Sequence, residues 1–87
     1  MEFIHTDLNH LQGGTVVEVT ISLAANVRVM DAMNFNAYRN GRSFRSYGGY
    51  YKTSPVRIAV PHNGHWHLAI DLGGGSGNIR TSVRTIS

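Results

Sequence analysis

The feature of this sequence that most constrains its fold is the alternation of apolar and polar residues with a period of two. In TVVEVTISL, residues 15–23, every second residue from Val17 to Leu23 is apolar. The same alternation runs through NVRVMD (26–31), SPVRIAV (54–60), HWHLAIDL (65–72) and IRTSVRTI (79–86). Such alternation is typical of half-buried β-strands, because successive side chains of a strand point to opposite faces of the sheet. No stretch keeps a helical period over three turns, although the sequence allows one short turn around residues 32–37.

These segments predict an all-β fold: a small antiparallel β-sandwich or flattened barrel of about six or seven short strands. The PHNG sequence at 61–64 predicts a turn, because Pro cannot continue a central strand and Asn-Gly tolerates positive φ. We therefore expect residues 55–60 and 65–72 to pair as a hairpin. The chain has 87 residues and neither an internal repeat nor a linker, so we expect a single domain spanning residues 1–87.

The composition limits the compartment and the chemistry. The chain has no cysteine, which excludes disulfides and thiolate metal sites and favours a cytoplasmic protein. The N-terminal sequence MEFIHTDLNHL has neither the basic nor the apolar region of a signal peptide. No apolar run approaches the roughly 18 residues of a membrane span. We expect a cytoplasmic domain with no membrane partner.

Positive charge is concentrated in the middle of the chain. All five acidic residues lie outside residues 32–70, whereas most of the eight Lys and Arg residues lie inside that range. We refer to residues 38–52, YRNGRSFRSYGGYYK, as the basic–aromatic segment. Its cations and aromatic residues are Arg39, Arg42, Arg45, Lys52, Tyr38, Phe44, Tyr47, Tyr50 and Tyr51. These nine residues are the candidate binding residues, since such asymmetry suggests a patch that faces something anionic.

Three interpretations of the basic–aromatic segment stay open. Arginines that contact phosphates, beside aromatic rings that stack on bases, would bind nucleic acid weakly and in a salt-dependent way. Arginine and tyrosine are also enriched at protein–protein interfaces, including those between copies of one chain. Alternatively the segment is a structural loop in which Tyr38, Phe44 and Tyr51 cap one end of the sandwich, and the arginines are solvated or pair with Asp31 or Asp71.

The sequence PHNGHWHLAID offers a candidate metal site. His65 and His67 are two residues apart and so point to the same face of one strand, and Asp71 has the same parity. Imidazole and carboxylate ligands suit zinc, iron or nickel. The apolar residues of this strand occupy the opposite face, so the histidines are equally compatible with a wet surface that binds no metal. We expect no cofactor.

Other motifs give little support for catalysis. The GGGSGN loop is followed by an alternating segment rather than by a helix N-terminus, so it predicts a flexible strand connection and not a phosphate loop. There is no G-x-S-x-G sequence, and the acidic residues are spread along the chain. The sequence therefore favours a non-enzymatic module that binds a protein partner or a second copy of itself.

A set of motifs resembles a known family. The sequences GG-x-VVEV, ANVRVMD, NF-x-x-YR-x-G, YGG, SPVRI and P-x-x-GHW together cover most of the chain. As a set they resemble a small bacterial domain family of unknown function, whose members stand alone or are fused to TIR-type signalling domains. The resemblance implies a small, mostly β domain and carries no catalytic or binding residues.

Overall fold

The computed structural model, which describes residues 3–73 and 77–87, contains seven β-strands and one α-helix in two antiparallel sheets. The elements are β1 (Ile4–Leu11), β2 (Val16–Ile21), β3 (Ala25–Asp31), α1 (Ala32–Arg39), β4 (Tyr47–Tyr51), β5 (Val56–Ala59), β6 (Gly64–Asp71) and β7 (Thr81–Ile86). Sheet A has the strand order β1-β6-β3-β4, and sheet B has the order β5-β2-β7. The prediction of an all-β sandwich is confirmed.

The main core lies between the two sheets and is built from the apolar positions of the alternating segments. Burial of each large apolar side chain contributes about 1.5–3 kcal/mol, which is why both sheets turn their apolar faces inward. Its buried residues are Leu8, Val17, Val19, Ile21, Ala25, Val27, Val29, Val56, Ile58, Val60, Trp66, Leu68 and Ile70. Leu23, which follows the end of β2, is exposed instead.

The predicted hairpin between residues 55–60 and 65–72 is wrong. β5 pairs with β2 in sheet B, whereas β6 lies between β1 and β3 in sheet A. A hairpin within one sheet would place both apolar faces on the same side of that sheet. Here the apolar residues of β5 and of β6 approach the core from opposite sheets, so the chain crosses between sheets at residues 60–63.

Helix α1 covers part of the outer face of sheet A. Asp31 caps it by accepting a hydrogen bond from the Asn34 amide at 2.9 Å. Phe35 and Tyr38, one turn apart, are its buried residues. They form a second core, the outer core, whose buried members are Met30, Phe35, Tyr38 and Ala69, with Phe3 and Phe44 packed against it. The short turn that the sequence allows around residues 32–37 is thus a helix that continues to Arg39.

The alternation does not predict two of the strands. In β1 the register shifts between Asp7 and Asn9, and this bulge turns Leu8 into the main core. β4 contains two glycines, Gly48 and Gly49, which are depleted in strands. Both strands lie at the edges of sheet A, where irregular pairing is tolerated best.

Two short stretches lie outside the described residues: Met1 and Glu2, and residues 74–76 of the GGGSGN sequence. The flexible connection predicted there therefore stays a prediction, as does the compartment. Within the described part of the chain, the helix is too short and too polar to cross a membrane.

Gly48 is expected to be indispensable to the pairing of β3 with β4. Its φ is +117°, and a Cβ atom there would collide with the carbonyl oxygen of Val27. We expect Gly48→Ala to lower the free energy of unfolding by at least about 2 kcal/mol, because both the backbone strain and the clash must be relieved. Urea denaturation, monitored by circular dichroism, measures this change in the free energy of unfolding.

The neighbouring Gly49 provides the matched control for Gly48. Its φ is not positive, and a Cβ atom there would meet nothing within 4 Å. Gly49→Ala is expected to change the free energy of unfolding by less than about 1 kcal/mol. Equal effects of the two substitutions would contradict the geometry described for Gly48.

Candidate functional site

The outer face of sheet A carries the polar residues that the sequence analysis singled out on β6. His65, His67 and Asp71 lie on this face, whereas Trp66 and Leu68 point into the main core. The face assignment made from the alternation is therefore correct. The residues that surround these three polar side chains come from β1, β3 and α1, and they determine what each can do.

Four side chains from β1 and β6 form a cluster, which we call the histidine cluster: His5, Asp7, His65 and His67. Asp7 and His67 are cross-strand partners. His65 Nε2 lies 2.7 Å from Asp7 Oδ1, and His5 Nε2 lies 2.9 Å from His67 Nδ1. The rings of His65 and His67 are stacked with centroids 4.9 Å apart. One ligand atom from each of Asp7, His65 and His67 lies within 4.8 Å of the others.

The β-bulge in β1 holds the Asp7 carboxylate in place. The backbone amide of Asn9 donates a hydrogen bond to Asp7 Oδ1 at 2.8 Å, and Asn9 has a left-handed φ of 62°. This hydrogen bond, together with that of His65, holds the pKa of Asp7 below its usual value. Asn tolerates left-handed backbone better than most residues, so the sequence Asp-Leu-Asn suits this turn.

His67 lies deeper than His65 and is held by aromatic rings. Its ring stacks on Phe35 with centroids 4.7 Å apart, and His5 stacks on the same Phe35 at 4.2 Å. Burial lowers the pKa of His67 below its usual 6.5, although the charge of Asp7 opposes this shift. His67 is therefore neutral at neutral pH and keeps a ring nitrogen lone pair.

Asp71 does not join the histidines. Its carboxylate accepts hydrogen bonds from Asn26 at 2.9 Å, Arg28 at 2.6 Å, the Tyr38 hydroxyl at 2.8 Å and the Gly73 amide at 2.8 Å. Burial would raise its pKa, but these hydrogen bonds and the Arg28 charge outweigh burial, and the pKa of Asp71 is lowered. Burial and the bond to Asp71 raise the pKa of Tyr38.

The candidate metal set is therefore rearranged: the structure brings His65 and His67 together with Asp7 rather than with Asp71. Residue parity on one strand correctly indicates a shared face, but it does not reveal which cross-strand neighbours occupy the space. Asp7 lies on β1, a strand whose alternation is interrupted. In the HTDLNH sequence, His5 and Asp7 are two residues apart and so share a face of β1, and this spacing is the signal that would have pointed to Asp7.

Three aromatic residues of the basic–aromatic segment are structural. Tyr38 is only 4% exposed and belongs to the outer core. Phe44 is half-buried and packs edge-on against Tyr38 with centroids 5.0 Å apart. Tyr51 packs against the main core. These three residues are packed, as the structural-loop interpretation expects, but Tyr38 and Phe44 lie in the outer core rather than at one end of the sandwich. Asp71 pairs with Arg28 of β3 and not with an arginine of the segment.

The other six candidate residues of the segment are exposed, and we call them the basic–aromatic edge: Arg39, Arg42, Arg45, Tyr47, Tyr50 and Lys52. β4, which carries both tyrosines, is an edge strand that pairs with β3. Tyr47 is opposite the core residue Val29, and Tyr50 is opposite Asn26, whose side chain is on the outer face. The two tyrosines thus flank the free edge of sheet A from its two faces.

The carboxylate side chains of the described residues bind groups other than the cations of this edge. Asp31 nevertheless lies near it, because Asn34, which donates to Asp31, accepts a hydrogen bond from the Arg45 amide at 2.8 Å. Glu18, on the outer face of sheet B, binds Arg57 at 2.9 Å and Arg84 at 2.6 Å. Asp71 binds Arg28, and the remaining two carboxylates bind His65 and cap α1. The basic–aromatic edge has four cations, Arg39, Arg42, Arg45 and Lys52. Within residues 3–73 and 77–87, none of them forms an ion pair.

The fold and these sites define a class of protein: a small all-β sandwich whose single described helix covers part of the four-stranded sheet. It has a polar cluster and a basic edge whose cations form no ion pair among the described residues. The chain belongs to the family of the domain of unknown function DUF1883, whose model matches residues 1–87. The resemblance to a domain family of unknown function is thereby confirmed. No curated protein and no solved structure matches the chain.

Proposed function

We propose that this domain is a non-enzymatic binding module that recognises an acidic, extended segment of a partner protein through the basic–aromatic edge. The observation that carries the proposal is the coincidence of two features on β4 and its flanks. Three cations there, Arg42, Arg45 and Lys52, have no carboxylate partner among the described residues, and the strand itself is at the edge of sheet A. The fourth cation of the segment, Arg39, lies at the end of α1, with its Cζ atom 5.9 Å from the centroid of the Phe35 ring.

The unpaired charge supports an acidic partner. Exposed arginines and lysines can be neutralised by carboxylates of the same chain, but within the described residues the carboxylate side chains bind other groups and form no ion pair with these cations. An uncompensated positive rim steers negatively charged partners and raises their association rate. It also disfavours a second copy of this chain at the same edge, because like charges would face each other across a symmetric interface.

The free strand edge supports recognition of an extended segment. A strand at the edge of a sheet has backbone N–H and C=O groups that can accept another strand, and peptide-binding domains use this mode. Tyr50 is 60% exposed and Tyr47 is 45% exposed. Tyrosines are favoured at interfaces because they supply contact area at little conformational cost. Their placement on both faces of β4 would hold an added strand from two sides.

The placement of the aromatic rings favours protein over nucleic acid. Binding of single strands uses aromatic rings that present their faces to successive bases. Tyr47 and Tyr50 are on opposite faces of the sheet, and Tyr38, Phe44 and Tyr51 are packed inside. The segment thus lacks a continuous stacking platform.

Among the described residues, the histidine cluster contains no histidine that is paired with a nucleophilic side chain, which supports a non-enzymatic role. Among the described residues, the histidine side chains bond to one another, to Asp7 and to a backbone carbonyl group. None of them bonds to a serine or threonine hydroxyl, and the chain has no cysteine. Nucleophilic catalysis requires such a pairing of nucleophile and base.

Binding is expected when the untagged protein is titrated with an extended peptide of about ten residues in which Glu and Val alternate. In ¹H–¹⁵N correlation spectra, the amide signals of Tyr47–Lys52 should shift most. The double variant Arg42→Ala/Arg45→Ala should raise the Kd about tenfold, because the loss of two solvent-exposed charge contacts of about 0.7 kcal/mol each weakens binding by about 1.4 kcal/mol.

The matched control removes the same charge from the opposite sheet. Arg80→Ala/Arg84→Ala should leave the peptide Kd within about twofold of the wild type, since Arg84 pairs with Glu18 on sheet B. If the peptide does not bind, or binds equally to both double variants, recognition of an acidic segment at this edge is wrong. Binding of single-stranded oligonucleotides that falls steeply with salt would instead assign the edge to nucleic acid.

A further inference from the structure

We infer that Asp7, His65 and His67 form a binding site for a divalent transition-metal ion of the zinc, cobalt or nickel type. The three side chains come from two neighbouring antiparallel strands and converge on the outer face of sheet A. One ligand atom from each lies within 4.8 Å of the other two. This inference is independent of the proposed peptide recognition. The histidine cluster is on β1 and β6, whereas the basic–aromatic edge is formed by β4, the residues that flank it and the end of α1.

The spacing of the three groups suits coordination after small side-chain movements. Zinc binds imidazole nitrogen and carboxylate oxygen at about 2.0–2.2 Å, which places neighbouring ligand atoms about 3–3.5 Å apart. His65 Nε2 and Asp7 Oδ1 are already 2.7 Å apart. The remaining separations, at most 4.8 Å, would have to shorten by rotation of the half-exposed His65 side chain toward His67.

The support around the three ligands is that of a preorganised site. The Asn9 amide fixes the Asp7 carboxylate through the bulge, and Phe35 stacks on the His67 ring. His5 Nε2 lies 2.9 Å from His67 Nδ1, which leaves His67 Nε2 as the atom for the metal. A partner on the far nitrogen of a liganding histidine orients the ring and raises its basicity.

The chemistry of the ligands selects the class of ion. Two imidazoles and one carboxylate match zinc, cobalt, nickel or ferrous iron, whereas calcium and magnesium require oxygen ligands throughout. Three protein ligands leave at least one position for water. The side chains of His65 and Asp7 are about half exposed, at 48% and 47%, so water reaches this side of the cluster. A bound ion would also fasten β1 to β6 across the edge of sheet A.

The inference can be tested by isothermal titration calorimetry, in which zinc chloride is added to untagged, chelator-treated protein. We expect one ion per chain and a Tm that rises with zinc concentration, because an ion that binds only the folded state stabilises it. Cobalt titration should give visible absorption bands of a low-symmetry nitrogen–oxygen site. The variants Asp7→Asn and His67→Phe, which keep the Asn9 hydrogen bond and the stacking on Phe35 respectively, should weaken zinc binding by more than about 100-fold.

Two further variants separate a built site from incidental surface histidines. His5→Ala should weaken zinc binding by about 10-fold, as loss of an outer hydrogen-bond partner does. His62→Asn removes an exposed histidine outside the cluster and should leave zinc binding unchanged; His10 is unsuitable as this control because it is the cross-strand partner of His65. Less than one ion per chain, or equal loss in His62→Asn and His67→Phe, would overturn the inference.

Discussion

Replacing Asp71 with alanine is expected to lower the free energy of unfolding by about 3–5 kcal/mol, the range typical for breaking a buried ion pair. The side chain of Asp71 is 1% exposed and neutralises Arg28 at 2.6 Å. Without it, the Arg28 guanidinium and the Tyr38 hydroxyl would lose their shared acceptor beneath α1. A domain of this size has only about 5–10 kcal/mol to lose, so urea denaturation should show a large shift.

The control for Asp71 keeps the shape and removes the charge. Asp71→Asn retains one oxygen that can accept from Tyr38 or Asn26, so we expect a smaller loss than for alanine. A double-mutant cycle with Arg28→Ala isolates the pair, and its coupling energy should exceed about 1 kcal/mol. A coupling near zero would show that Arg28 finds an equivalent partner when Asp71 is absent.

The Asp71 carboxylate should also make the free energy of unfolding depend on pH in acid. Because the folded state holds the pKa of Asp71 below its ordinary value of 3.8, the unfolded chain binds protons first as the pH falls. The contribution of Asp71 is thus fully present above about pH 4 and is lost as the pH falls through the folded-state pKa. Asp7 and Glu18 are shifted in the same direction. The free energy of unfolding of the Asp71→Asn variant should therefore decrease less steeply than that of the wild type as the pH falls, but it should still decrease.

Trp66→Ala is the second substitution with a large expected effect, a loss of about 3–5 kcal/mol. The side chain of Trp66 is 1% exposed at the centre of the main core, and its indole N–H donates to the His62 carbonyl oxygen at 3.2 Å. Its ring also contacts Tyr47 edge-on with centroids 6.0 Å apart. Removing it leaves a cavity on β6, the strand that joins β1 to β3.

Circular dichroism measures the effect of Trp66→Ala, because Trp66 is the only tryptophan of the chain and its fluorescence is lost with it. Trp66→Phe is the control: it keeps an aromatic ring in the core, so we expect a loss about half as large. A loss below about 1 kcal/mol for the alanine variant would contradict a central position of Trp66 in the core.

The two proposals about function concern opposite ends of one sheet. In sheet A the order is β1-β6-β3-β4, so two strands that face α1 separate the free edge of β4 from β1. Substitutions in the histidine cluster should therefore leave peptide binding at the basic–aromatic edge intact. Failure of one proposal would not entail failure of the other.

The sequence by itself determined the strands whose alternation is strict. In β2, β3, β5 and β6 the apolar residues that recur with a period of two are the residues that the main core buries. In β7 only Val83 packs against that core, and Ile86 is exposed. It also determined that His65 and His67 share a face. It did not reveal β1, where a bulge interrupts the period, or β4, where glycines replace apolar residues. Local periodicity reports the burial of one face and says nothing about irregular edge strands.

Only the tertiary structure decided which strands are neighbours, and with them which side chains meet. Alternation is the same whether β6 pairs with β5 or packs against it across the core, so the predicted hairpin could not be tested within the sequence. The partners of Asp71 and of the histidines lie on β1, β3 and α1, far apart along the chain. Such contacts depend on sheet order and register rather than on local pattern. For this reason Asp7, and not the predicted Asp71, lies beside His65 and His67.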